Sequence, residues 1–138
     1  MFAAVDLGSN SFRLHIGRHD GDVIRVVKSA RAPIRLAAGL DENGNLSKAA
    51  MQSAIICLEN FREILNAYPI EAVRVVATNT FRIAKNIAEL LPLAEATIAC
   101  QIEVISGEEE GRLIYMGVSN SIAIPGERRL VMDIGGGS

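Results

Sequence analysis

The chain of 138 residues has room for one domain of ordinary size, and its 49% hydrophobic and 22% charged residues strike the balance of a soluble globular protein. A net charge of −2 gives no long-range attraction to nucleic acid or to an acidic membrane surface, so a polyanionic ligand would have to be gripped by local groups and metal ions. No run nears the roughly 18 apolar residues of a membrane span and no basic stretch precedes the apolar N-terminus, so a cytoplasmic protein is expected.

Residues 2–7 are a short apolar run that meets Gly8-Ser9-Asn10-Ser11, the pattern of a strand entering a turn. Phe12, Leu14 and Ile16 alternate with Arg13 and His15, which is strand periodicity. His19-Asp20-Gly21-Asp22 reads as a hairpin turn on its Asp-Gly pair, and residues 23–28 resume as a third strand of an antiparallel meander. A loop with Pro33, Gly39 and Gly44 follows over residues 31–46. Ser47 is placed to N-cap a long helix reaching about Ala67, with Met51, Ile55, Leu58, Phe61 and Leu65 as its buried stripe. Residues 73–77 read as a buried strand, followed by Thr78-Asn79-Thr80 and a helical stretch to about Ala99 that Pro92 is expected to break. Residues 101–105 are another strand, and Ser106 opens a second strong helix to about Val118. Pro125-Gly126 marks a boundary, after which residues 130–134 begin a new strand. Hairpin strands followed by strand–helix units predict an α/β lobe with a mixed sheet flanked by helices. Cys57 and Cys100, far apart in apolar surroundings, are expected to be free thiols.

One pattern occurs twice. Val5-Asp6-Leu7-Gly8-Ser9-Asn10-Ser11 and Met132-Asp133-Ile134-Gly135-Gly136-Gly137-Ser138 each place an Asp inside an apolar run, then a hydrophobe, then Gly and small hydroxylic residues. An Asp in a buried strand is costly unless it is paired or near a metal. Gly and Ser directly after it let backbone amides converge on an anion, with hydroxyls as further donors. Two such loops facing each other would clamp a chain of phosphates. Asp6 and Asp133 behind them would hold Mg²⁺ or another divalent cation through its water shell.

Ser106 and Glu109 have the spacing of a capping box, which gives Glu109 a structural role, and Glu108 suits the helix dipole. Glu110 differs. It shares a helix face with Leu113, Ile114 and Gly117, so its carboxylate is expected to face the protein rather than solvent. His15 and His19 have no partner at catalytic spacing, and no Cys/His cluster reads as a zinc site.

Taken together, FAAVDLGSNSF, VVATNTFRIAKN, VISGEEEGRLIYMGV and LVMDIGGGS resemble, in order and spacing, the exopolyphosphatase and guanosine pentaphosphate phosphohydrolase family. The resemblance covers essentially the whole chain. It implies an actin-like (ribonuclease H-like) fold of two lobes with the site between them, and removal of terminal phosphate from inorganic polyphosphate or guanosine pentaphosphate with Mg²⁺. It also implies that Glu110 is the catalytic Glu and that Arg82 binds phosphate beside Gly8, Ser9, Asn10, Ser11, Gly135, Gly136, Gly137 and Ser138. Residues 1–125 would form the first lobe and residues 126–138 the first strand and phosphate loop of a second. The family's pattern continues past Ser138 with a metal-linked Glu, so the chain alone is expected to be inactive, and the full-length protein is expected to be a homodimer. Two rival readings remain at this point. An actin-like ATP-dependent kinase would commonly carry Thr or Ser where Asn10 stands, and a non-catalytic phosphate-binding lobe would bind without turnover.

Overall fold

The computed structural model describes residues 1–21, 23–121 and 130–135. Its first strand, β1 (Phe2–Leu7), forms where the apolar run predicts one, and it alternates, with Ala3, Val5 and Leu7 buried and Phe2, Ala4 and Asp6 on the opposite face. β2 (Phe12–Asp20) buries Phe12, Leu14 and Ile16 on the same side of the sheet. Because β2 runs to Asp20, His19 lies in the strand and not in the turn, where its ring meets Phe2 edge-on at 5.4 Å. The turn itself uses the left-handed backbone of Gly21 (φ 65°).

β3 (Val23–Ala32) is longer than expected and absorbs Arg31, which sequence patterning assigns to the following loop. Its pattern is hard to read because β3 is the edge strand and most of it is exposed, so no apolar alternation marks its end. β4 (Ala72–Ala77) and β5 (Ile102–Val104) complete a five-stranded sheet in the order β3-β2-β1-β4-β5. β1, β4 and β5 run parallel, and β2 and β3 are antiparallel additions on one side.

Two helices cover the apolar face. In α1 (Lys48–Asn66) the Ser47 hydroxyl accepts from the Ala50 amide at 3.2 Å, the predicted cap. Leu58, Phe61 and Leu65 are buried as expected; Met51 and Ile55 are only half-buried, and Ala54 and Cys57 fill the stripe. Burial pushes the Cys57 thiol up to about 11, so it stays neutral and packs as a small hydrophobe.

The helical stretch after β4 breaks at residues 84–86 and not at Pro92. It divides into α2 (Asn79–Ile83) and α3 (Ile87–Ile98), and α3 carries Pro92 in its interior. The break is held by distant backbone. Asn86 accepts from the Leu46 amide at 2.8 Å and donates to the Leu46 carbonyl at 3.0 Å, while the Lys85 amide donates to Gly44 at 2.9 Å. α3 packs on α1, and Arg62 of α1 donates to the carbonyl of Ile98 at 2.9 Å.

The last helix, α4 (Gly107–Ser121), starts at Ser106, whose hydroxyl accepts from the Glu109 amide at 3.1 Å. Residues 130–134 do not form the expected strand: no described strand pairs with them, and Leu130 and Ile134 are 87% and 89% exposed. A strand exists only through ladder bonds to a neighbour, however apolar its residues. The expected Pro125-Gly126 boundary lies outside the described residues. Among the described residues no helix is long and apolar enough to cross a membrane.

Candidate active site

The parallel arrangement of β1, β4 and β5 brings their carboxyl ends to one edge of the sheet. Backbone bonds tie the exits together: the Thr78 amide donates to Leu7, and the Ile105 amide donates to Ala77 at 3.0 Å. Ligands of α/β sheets bind beyond this edge. Here a cavity of about 430 Å³ opens between the loop after β1, the face of the sheet that α1 and α3 leave uncovered, and α4.

The loop over residues 8–11 is oriented from behind. A short 3₁₀ turn, Leu36–Gly39, follows Arg35, whose backbone is left-handed (φ 52°). From this segment the Arg35 amide donates to the Asn10 carbonyl at 2.8 Å and the Ala37 amide to the Ser9 carbonyl at 3.1 Å. In a trans peptide the N–H points opposite the C=O. Tying back those two carbonyls therefore turns the amides of Asn10 and Ser11 the other way, with both residues on the cavity wall. Gly8 suits the tight path, since a Cβ there would stand 3.0 Å from the Ser11 carbonyl oxygen and crowd it.

Three carboxylates, Asp6, Glu110 and Asp133, line this cavity. Burial holds the Asp6 carboxyl above its usual range; the Arg13 guanidinium opposes that shift, and the charges of Glu110 and Asp133 reinforce it. Hard oxygen donors of this kind suit Mg²⁺. Among the described residues, no three His, Cys, Asp or Glu side chains are near enough to hold an ion between them.

Glu110 stands where the helix register predicts, on the wall with Leu113 and Ile114, although Gly117 further along is exposed. Its carboxylate accepts from Arg82 Nη1 at 3.1 Å, and each of these side chains is 24% exposed. The same Arg82 nitrogen donates to the Ile105 carbonyl at 2.7 Å. Arg82 thus sits behind Glu110, off the cavity wall. Glu109 points elsewhere. Its two oxygens accept from Arg112 at 2.7 and 2.8 Å, so it does not complete the reciprocal half of the capping box.

Of the described residues that the sequence assigns to the site, Asp6, Gly8, Ser9, Asn10, Ser11, Glu110, Asp133 and Gly135 line the cavity and Arg82 does not. Gly136, Gly137 and Ser138 lie outside the described residues. Two charged residues of the cavity wall fall outside that assignment, Arg13 and Arg31. Arg13 faces Asp6 on β1 and Arg31 on β3 in the strand register. Arg13 was legible in principle, because it alternates with Phe12 and must take the face opposite the core. Arg31 was not, because its strand was ended too early. Two like charges directly opposite each other repel, and the Asp6 carboxylate opposite Arg13 offsets part of that repulsion.

The model of the Ppx/GppA phosphatase family matches residues 15–138. The chain belongs to the Ppx/GppA phosphatase family. Solved structures agree with this placement in the Ppx/GppA family. The Ppx/GppA enzyme of Aquifex aeolicus is 30% identical with a TM-score of 0.84, over 91% of this chain and 42% of that one. An exopolyphosphatase-like protein is 31% identical with a TM-score of 0.83, over 89% of this chain and 38% of that one. An exopolyphosphatase from Cytophaga hutchinsonii is 27% identical with a TM-score of 0.80, over 85% of this chain and 38% of that one. The five-stranded mixed sheet flanked by helices is the actin-like lobe of these Ppx/GppA proteins, as expected. The chain spans about 38–42% of the length of these solved relatives.

Proposed function

We propose that this chain is a catalytic lobe of a phosphohydrolase that removes the terminal phosphate of inorganic polyphosphate. The observation that carries the reading is the loop over residues 8–11, with its carbonyls tied back, sharing one cavity with Glu110. Hydrolysis of a phosphoanhydride has a loose transition state, so the protein's work is positioning and charge neutralisation. Glu110 orients the attacking water and takes its proton. The amides of Asn10 and Ser11 donate to the phosphoryl oxygens, and Arg13 and Arg31 balance the charge of the phosphates that follow. Arg82 binds phosphate by exchanging its Glu110 contact for a phosphoryl oxygen while the Ile105 carbonyl keeps its hold. Asp6 and Asp133 would hold Mg²⁺ through its waters, and the ion would supply further charge neutralisation. Gly135, which opens the second Gly-rich loop, also lines the cavity. We place the enzyme in the cytoplasm as a homodimer acting on a free polyanion, with neither nucleic acid nor membrane as partner.

Released phosphate, measured by malachite green, tests the reading. Polyphosphate, guanosine pentaphosphate and ATP are each presented with Mg²⁺ to this chain and to a family-length protein carrying this lobe. Turnover of polyphosphate above the other two substrates is expected from the family-length protein, and little from residues 1–138 alone. Preference for guanosine pentaphosphate would reassign the substrate within the same mechanism. Phosphate transfer from ATP to an acceptor without polyphosphate hydrolysis would overturn the proposal.

A further inference from the structure

One polar contact at the site connects segments far apart in the chain and plays no part in the scheme above. Thr80, in α2, is 1% exposed, and its hydroxyl donates to the Ser9 hydroxyl at 2.7 Å across a separation of 71 residues. Both residues are buried, yet Ser9 also lines the cavity and Thr80 does not.

Each hydroxyl has one proton and two lone pairs. A buried hydroxyl that keeps its proton unshared loses the hydrogen bond it had in water, so Thr80, enclosed on all sides, spends its proton on Ser9. That settles the direction of the pair. With an incoming bond on its oxygen, the Ser9 hydroxyl has its own proton left for another acceptor, and Ser9 lines the cavity. An incoming bond also polarises the outgoing one and makes Ser9 a better donor. The Ala37 amide holds the Ser9 carbonyl at 3.1 Å, so backbone and side chain of Ser9 are fixed from two directions.

We infer that Thr80 is a positioning residue: it locks the Ser9 hydroxyl as a donor to a phosphate oxygen and never touches the phosphate itself. The inference rests on the reading of the cavity as a phosphate site. It makes α2, which follows β4, part of the first phosphate loop's machinery.

The test is tripolyphosphate binding to the chain by titration calorimetry in Mg²⁺, with melting curves to verify folding. Thr80→Val keeps the shape and removes the proton, and Thr80→Ala is a second deletion should Val not fold. Either is expected to weaken binding roughly five- to thirty-fold, the range of one or two lost kcal/mol, and Thr80→Ser is expected to restore it. In a Ser9→Ala background, Thr80→Val should cause no further loss, because its effect passes through Ser9. Parent-like binding by folded deletion variants would overturn the inference. So would a Thr80→Ser variant as weak as Thr80→Val, which would mean that packing and not the hydroxyl matters, or an undiminished Thr80→Val effect without Ser9. If the parent chain itself binds no tripolyphosphate, the phosphate site fails first and the inference falls with it.

Discussion

Replacing Glu110 by Gln separates the chemistry of the site from its stability. At 3.1 Å from Arg82 and an effective dielectric of about 20, the gross attraction of a full ion pair is about 5 kcal/mol. Both side chains are a quarter exposed, so solvent and the cost of desolvating two charges reduce the net to about 1 kcal/mol or less. Gln keeps an oxygen to accept from Arg82 and removes a negative charge that works against Asp6. The melting temperature of the chain should therefore move by no more than a few degrees. Turnover of polyphosphate by a family-length enzyme with the same substitution should fall by roughly 10²–10⁴-fold, the usual contribution of a positioned base. A third readout is independent of turnover. With the Glu110 charge gone, the Asp6 carboxyl should titrate closer to its ordinary value, which NMR of the side-chain carboxyl carbons would follow. Near-normal turnover in Glu110→Gln, with Asp6 shifted as expected, would show that Glu110 faces the site without acting as its base. An unchanged Asp6 would contradict the shared cavity itself.

Asp6→Asn carries a pH signature. The folded-state pKa of Asp6 is raised, so its contribution to stability is fully present below about pH 3.8 and is lost as pH rises through the folded value. In metal-free chemical denaturation, Asp6→Asn should be more stable than the parent at pH 7, and the gap should close in acid; a parent that is the more stable at pH 7 would refute the assignment. Asn86→Ala leaves the Leu46 amide and carbonyl without their partner and should cost roughly 1–3 kcal/mol in urea unfolding. A loss within error would mean that the break at residues 84–86 is local in origin. Ser106→Ala should lower stability by about 0.5–2 kcal/mol through the lost cap, whereas Glu109→Ala should leave the melting temperature nearly unchanged, because its carboxylate serves only an exposed bond to Arg112. The reverse order would restore the full capping box.

Local periodicity determined much of this protein without reference to the fold. An apolar run specified β1, alternation specified β2 and its buried face, Ser47 and Ser106 specified two helix starts, and helical spacing put Glu110 on the face that lines the cavity. These features are legible because the side-chain period of a strand or helix is a property of neighbours in sequence. Partnership over long separations is not. The Arg13–Arg31 juxtaposition depends on how far an exposed edge strand runs, and the break before α3 depends on Leu46 and Gly44, some forty residues upstream. Arg112 captured Glu109, and Ile105 with Glu110 captured Arg82, because the nearest competing partner takes a charged side chain whatever its motif foretells. Residues 130–134 carry the composition of a strand but pair with no described one, since the hydrogen bonds that make a strand belong to two segments and only one of them is written in its own residues.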